Sequence, residues 1–177
     1  MDFGLSDEQT AIFDMAFAFG QEHIAPVASF LSIHNMCAKM LDSFGSDDFK
    51  DRVMPGVMSM QTVLSYCLTE PGSGSDAAAL RTRAERTNEG YVLNGSKAFI
   101  SGGGYSDAYV VMARTSDDGA AGVSTVYVAD GTPGLSFGGN EEKMGWRSQP
   151  TAQVQFDNCN ISGENLVGEE GNGFKYA

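Results

Sequence analysis

Hydrophobic periodicity changes once along this 177-residue chain, near residue 60, and that change limits the folds that the chain can adopt. Before it, apolar residues such as Ile12, Met15 and Phe19 recur three or four positions apart, which is typical of amphipathic helices. After it, apolar and polar residues alternate in short segments, which is typical of half-buried strands. The sequence therefore predicts an α+β fold, with a partial N-terminal helical domain over residues 1–60 and an antiparallel β-barrel or sandwich over residues 61–160.

Three helices are predicted in the N-terminal part. A capping box formed by Ser6 and Gln9 begins the first helix, and Pro26 ends it. Two more helices are predicted over residues 30–44 and 46–60. The last of these should be short or broken, because Pro55 lacks an N–H group and its ring crowds the preceding turn.

The strands are predicted where β-branched and aromatic residues lie between clusters of Gly, Asp and Pro. They cover residues 61–68, 80–85, 91–93, 97–101, 108–114, 123–129, 135–137 and 151–156. Tight turns are predicted at residues 88–90 and at Asn94-Gly95, and two turns so close together indicate an antiparallel meander.

Charge and cysteine content exclude several classes of protein. Eleven Lys and Arg against 23 Asp and Glu give a net charge of -12, so we expect neither a nucleic-acid nor a membrane partner. Cys37, Cys67 and Cys159 are widely spaced and odd in number, which predicts free thiols in a reducing compartment and a cytoplasmic location. Neither these cysteines nor His23 and His34 have metal-ligand spacing, so no metal site is expected.

A loop over residues 66–76 is the strongest candidate for a ligand site. Pro71 ends the preceding strand, and Gly72 and Gly74 allow backbone N–H groups to turn toward a bound oxyanion or carbonyl. The hydroxyls of Thr69, Ser73 and Ser75 lie beside them in sequence. An ordinary surface turn is the alternative, because Gly, Ser and Pro dominate turns in general.

A nicotinamide-binding Rossmann site is a second interpretation of the same loop. Gly72, Gly74 and Ala77 fit the spacing of the dinucleotide fingerprint. That fingerprint requires a helix directly after it, whereas the sequence alternates from Leu80 onward and predicts hairpins. Asp76 would also place a negative charge beside a pyrophosphate. The sequence therefore favours a β fold around this loop.

Three segments in the same order resemble the acyl-CoA dehydrogenase family. They are the loop over residues 66–76, the strand over residues 94–102 and the stretch over residues 143–151. Residues 154–174 are similar to the family's exit from its β domain. Within the family, residues 31–37 and 98–101 are most similar to members that act on short branched acyl chains.

The resemblance implies an FAD-dependent oxidoreductase that removes an α-proton and a β-hydride from an acyl-CoA thioester, with the hydride passing to flavin N5. It implies flavin contacts at Tyr66, Cys67, Leu68, Thr69, Gly74, Ser75, Phe99, Ile100 and Ser101. Thr69 would donate to the isoalloxazine edge, Phe99 would stack on the ring, and Ser101 would bond near N5. Ser75 would also bind the acyl-CoA. The expected electron acceptor is an electron-transfer flavoprotein, and family members form homo-oligomers.

Departures from the family limit what we expect of this chain. The family's catalytic base is a Glu on C-terminal helices, and no residue here matches it, so no catalytic residue is assigned; residues 161–177 would lead toward that missing domain. Glu70 and Asp76 are interpreted as loop-shaping groups. An internal deletion is expected near residues 26–30. We therefore expect reduced FAD affinity and little turnover, and the alternative is a non-catalytic binding module that keeps flavin or CoA contacts.

Overall fold

The computed structural model describes residues 6–19 and 28–177. The N-terminal part consists of α1 (Asp7–Phe19), α2 (Ala28–Phe44) and α3 (Asp47–Met58), and a short α4 (Gly173–Tyr176) lies near the other end. The strands between them are β1 (Leu64–Cys67), β2 (Arg83–Arg86), β3 (Gly90–Ser101), β4 (Ala108–Arg114), β5 (Val123–Ala129), β6 (Leu135–Phe137), β7 (Thr151–Ser162) and β8 (Leu166–Val167). Helices followed by strands confirm the predicted α+β class.

The strands form one sheet in the order β6-β7-β3-β2-β4-β5-β8, with β1 also paired to β4. Most pairings are antiparallel, as predicted, but β1 and β2 both run parallel to β4. Cys67 pairs with Val111, and Arg83 pairs with Arg114 farther along the same strand. The two short strands therefore occupy successive stretches beside β4, and residues 68–82 form an excursion between them.

Alternate residues of β4 pack into two different cores. Tyr109, Val111 and Ala113 belong to a core that contains strand residues alone. Ala108 and Val110 belong to a second core, which contains residues of α2 and α3. One face of a single sheet can enclose its own core only when the sheet is strongly curved, so the fold is barrel-like with two helices on its outer side.

His34 ties this helical layer to the sheet. Its Nδ1 accepts the Leu64 N–H at 3.2 Å, so its Nε2 carries the proton and donates to the Val57 carbonyl at 3.2 Å. The side chain is buried. His34 is therefore a structural bridge between α2, the end of α3 and β1. Among the residues that the structure describes, no group of His, Cys, Asp and Glu could hold a metal ion.

The N-terminal predictions have different outcomes. The capping box is confirmed, because the Ser6 N–H donates to Gln9 Oε1 at 3.0 Å and the Gln9 N–H donates to Ser6 Oγ at 3.3 Å. Helix α3 was expected to be short or broken at Pro55: it is short, ending at Met58, but it is continuous through Pro55, which forgoes one backbone N–H hydrogen bond. His23, Pro26 and most of the expected deletion lie outside the described residues.

The predicted turn at Asn94-Gly95 is also wrong. Strand β3 continues through it, and the register with β7 shifts between Leu93 and Gly95, which is a β-bulge. A Cβ on Gly95 would lie 2.5 Å from Thr82 Oγ1. The glycine is therefore required by the close approach of Thr82 rather than by a turn.

No helix in the described part of the chain has the length and apolarity needed to cross a membrane.

Candidate functional site

Two chain segments bring most of the predicted site residues together. Residues 65–69 run beside residues 98–101, although about thirty positions separate them in sequence. The Ala98 N–H donates to the Thr69 carbonyl at 2.8 Å, and Ser65 Oγ donates to the Ser101 carbonyl at 2.5 Å. Thr69 and Ser101 therefore lie at opposite ends of one short cross-linked ribbon, with Phe99 between them.

Phe99 is held outward by an irregularity of β3. The register with β7 shifts between Lys97 and Ile100, and Phe99 adopts a left-handed backbone with φ of +57°. Its side chain is 66% exposed, whereas Ala98 and Ile100 on either side are buried. Strained backbone at a bulge is found preferentially next to binding and active sites, where it re-aims a side chain. The arrangement presents one aromatic ring to a ligand.

The remaining aromatic and apolar site residues differ in which of their atoms a ligand could contact. Cys67 and Ile100 are buried in the strand core, so only their backbone can reach a ligand. Burial raises the pKa of the Cys67 thiol, and nearby Lys97 offsets only part of that rise. Tyr66 and Leu68 are half-buried on the other face of β1, and the Tyr66 hydroxyl is buried without a hydrogen-bond partner among the described residues.

The hydroxyls of the loop divide into two kinds. Ser73 is structural: its Oγ donates to the Asp76 carbonyl at 2.7 Å, and its backbone forms a tight turn with Glu70. The hydroxyls of Thr69, Ser75 and Ser101 have no hydrogen-bond partner within residues 6–19 and 28–177. A Cβ built on Gly74 would meet nothing within 4 Å, so open space surrounds this loop. The side chains of these three residues remain available for a ligand.

A buried ion pair beneath the site was not anticipated from the sequence. Lys97 is fully buried, and its Nζ lies 2.8 Å from Glu70 Oε1 and 3.1 Å from the Leu68 carbonyl. The sequence does contain a pattern that could have indicated the burial of Lys97. Side chains alternate between the two faces of a strand, and Lys97 lies on the same face of β3 as the buried Tyr91 and Leu93.

Glu70 shapes the loop, as predicted. Its Oε2 accepts the Arg81 N–H at 2.6 Å, and its Oε1 accepts the Thr82 N–H at 2.9 Å. Burial raises the pKa of this carboxyl, but the hydrogen bonds from Lys97, Thr82 and Arg81 outweigh burial and hold the pKa below its usual value. The group is therefore a fully engaged carboxylate, which is unsuited to accept a proton from a substrate. Asp76 is exposed and makes no capping bond.

Comparison with known families and proteins gives consistent matches. Residues 65–159 match the family described as acyl-CoA dehydrogenase, middle domain. The mitochondrial isobutyryl-CoA dehydrogenase of Bos taurus is 52% identical over 98% of this chain and 41% of its own length. Butyryl-CoA dehydrogenase from Megasphaera elsdenii is 37% identical, with a TM-score of 0.83 over 86% of this chain and 40% of that one.

A chain in the solved structure of the electron transferring flavoprotein of Acidaminococcus fermentans is 30% identical, with a TM-score of 0.84 over 99% of this chain and 62% of that one. The present chain thus spans about two fifths of the bovine relative. That relative is mitochondrial, so the cytoplasmic location expected from the cysteines stays a prediction.

Proposed function

This chain belongs to the acyl-CoA dehydrogenase family, a family of oxidoreductases, and we propose that its residues 65–101 form the flavin-contacting rim of an enzyme that oxidises a short or branched acyl-CoA. The observation that carries the proposal is the outward ring of Phe99, which lies on the ribbon that also carries Thr69 and Ser101, whose hydroxyls have no partner among the described residues. These three groups come from two segments that the sheet holds side by side.

The residues present fit the isoalloxazine of FAD. A planar heteroaromatic ring requires an apolar face to stack on and hydrogen-bonding groups along its edge. Phe99 offers the face, and the hydroxyls of Thr69 and Ser101 offer the edge contacts. When bound, FAD supplies the acceptor for the hydride that leaves the β-carbon of the acyl chain.

The roles of this chain's own residues in the proposal are binding and orientation. Thr69 and Ser101 donate to the edge of the ring and fix its rotation in the site, while Phe99 covers one face and excludes water from it. Ser75 lies on the open loop, where its hydroxyl can bond to the acyl-CoA. Tyr66, Cys67, Leu68, Gly74 and Ile100 complete the proposed lining, Cys67 and Ile100 through their backbone.

Removal of the α-proton is not assigned to any residue of this chain. Glu70 is the buried carboxylate nearest the rim, and it is already engaged with Lys97 and two backbone N–H groups. A general base contributes roughly 100-fold to 10,000-fold in rate, so the 177 residues alone should turn over little substrate. A non-catalytic module that retains flavin or CoA contacts is therefore the second candidate function.

The partners proposed for the whole protein are an acyl-CoA substrate, an electron-transfer flavoprotein as acceptor and further copies of the same chain. The second of these is what the family resemblance implies. The bovine isobutyryl-CoA dehydrogenase and the butyryl-CoA dehydrogenase of Megasphaera elsdenii support the first.

Titration of the chain with FAD, followed by amide NMR, tests the site. We expect shifts concentrated at Thr69, Phe99 and Ser101, and weaker binding for Thr69→Val, Phe99→Ala and Ser101→Ala. Ser136→Ala, which removes an exposed hydroxyl from β6, is the matched control and should bind as the unsubstituted chain does. Shifts confined to other surfaces would refute the proposed site. Rapid dye reduction with isobutyryl-CoA would refute the expectation that the chain lacks its base.

A further inference from the structure

Lys97 and Glu70 form an arrangement that stability alone does not explain. The side chains are 0% and 7% exposed, and their charged atoms lie 2.8 Å apart. Taking two charges out of water costs several kcal/mol per ion, and well-packed apolar residues often replace a buried pair without loss of stability. A function that depends on geometry is therefore a better explanation of this pair than a contribution to folding free energy.

The ammonium group holds both neighbours of Thr69. Its Nζ donates to the Leu68 carbonyl at 3.1 Å and to Glu70 Oε1 at 2.8 Å. The next residue of β3, Ala98, donates its N–H to the carbonyl of Thr69 itself at 2.8 Å. Three consecutive residues of the loop are thus fixed to two consecutive residues of β3.

The same strand carries the other two groups of the proposed flavin rim. Phe99 and Ser101 follow Lys97 by two and four positions, and the bulge that turns Phe99 outward begins at Lys97. Ser65 holds the far end of the ribbon through the Ser101 carbonyl. The contacts of Lys97 with Leu68 and Glu70 therefore act together with the Ala98–Thr69 and Ser65–Ser101 hydrogen bonds to hold the two segments side by side.

We propose that Lys97 is a positioning residue for flavin binding, which fixes Thr69 opposite Phe99 and Ser101 by holding Leu68 and Glu70 from inside the barrel. The inference rests on the function proposed above. Lys97 touches neither flavin nor substrate in this account, and Glu70 acts as its anchor on the loop.

Two variants distinguish the proposed positioning role of Lys97 from its role in neutralising the charge of Glu70. Lys97→Met leaves Glu70 as an unpaired buried carboxylate, so it should lower stability strongly. The double variant Lys97→Met, Glu70→Gln restores neutrality and leaves an amide oxygen that can accept one of the two backbone N–H groups held by Glu70, so it should recover part of that stability. Lys50→Met, which removes one positive charge from α3, is the control for net charge.

Denaturant unfolding, FAD titration and hydrogen exchange of the Ala98 amide are measured on all four chains. We expect the double variant, measured under conditions where it is folded, to bind FAD about tenfold more weakly than the unsubstituted chain and to exchange the Ala98 amide at least about tenfold faster. Lys50→Met should change neither quantity.

A double variant that binds FAD as tightly as the unsubstituted chain would refute the positioning role, as would weaker binding with unchanged Ala98 exchange. If the proposed flavin site itself were wrong, the result would differ from both of these outcomes. In that case the unsubstituted chain itself would show no FAD-dependent shifts at Thr69, Phe99 and Ser101, and the positioning role would fall with it.

Discussion

Replacing Phe99 by glycine should yield a more stable protein than replacing it by alanine, the reverse of the usual order in a strand. Alanine is normally favoured over glycine inside a strand or helix by roughly 0.5–1 kcal/mol, because glycine loses more backbone entropy on folding. At Phe99 the backbone φ is +57°, where a residue with a Cβ is disfavoured by roughly 1–2 kcal/mol. Both variants lack the ring, so its burial cancels in the comparison.

The expected difference follows from those two opposing effects. Subtracting the entropic preference for alanine from the left-handed penalty leaves glycine ahead by about 0.75 kcal/mol at the midpoints of the two ranges. Urea unfolding of Phe99→Gly and Phe99→Ala measures this directly, since the two proteins should have the same denaturant dependence and different midpoints.

Ala98→Gly is the control in the same strand. Ala98 is buried and does not have a positive φ, so glycine there should lower the free energy of unfolding by about 1 kcal/mol. Equal or greater stability of Phe99→Ala over Phe99→Gly would refute the view that the bulge holds Phe99 in a strained conformation. Both Phe99 variants should lose FAD affinity to the same extent, because stacking requires the ring.

Three further predictions concern buried polar groups. The folded-state pKa of Glu70 is lowered, so its stabilising contribution should be full at neutral pH and should decline as pH falls below the ordinary carboxyl value of 4.5. The double variant Lys97→Met, Glu70→Gln lacks this carboxylate, so it should show a flatter acid limb of the unfolding free energy than the unsubstituted chain, and an unchanged limb would contradict the assignment. His34→Ala should lower stability by roughly 1–3 kcal/mol in thermal or urea unfolding, since it leaves the Leu64 N–H without a partner and removes one of the two donors to the Val57 carbonyl, which also accepts the Met60 N–H; Asn35→Ala, at an exposed neighbour, should have little effect. Burial raises the pKa of Cys37 to about 12, so this thiol should react with a disulfide reagent only after unfolding, and prompt labelling of the native chain at pH 8 would contradict its burial.

Sequence patterns predicted the local structure best where a short strand lies between clusters of turn residues. The segments Ala108–Arg114, Val123–Ala129 and Leu135–Phe137 begin and end where they were predicted. Their partners could not be predicted in the same way. The parallel pairing of β1 and β2 with β4 depends on contacts between distant residues, and no short pattern encodes it.

The errors have physical causes of the same kind. Asn94-Gly95 has strong local preference for a hairpin turn, but pairing with β7 on one side and the approach of Thr82 on the other hold it in an extended strand. Pro55 was expected to shorten or break a helix, and α3 continues through it but ends soon after, at Met58.

The residues of the candidate site could be predicted from the sequence. The buried contacts that hold them in place could not. The resemblance pointed to Thr69, Phe99 and Ser101, and the structure places them on two adjacent segments. The alternation that directs Lys97 inward was present in the sequence, but its partner Glu70 lies on a loop whose path no period describes. Which of these residues touch a flavin stays a prediction.

The pairing of β1 with one edge of β4 has a consequence for the order of folding. Leu64 pairs with Ala108, so the ribbon that carries Thr69 cannot settle until a strand more than forty residues later in the chain has been made. A nascent polypeptide would carry helices and the β2–β3 hairpin before it carried any rim for a cofactor. Under the proposed function, FAD binding then follows formation of β4, and FAD present during refolding should leave the folding rate unchanged while stabilising the final state by mass action.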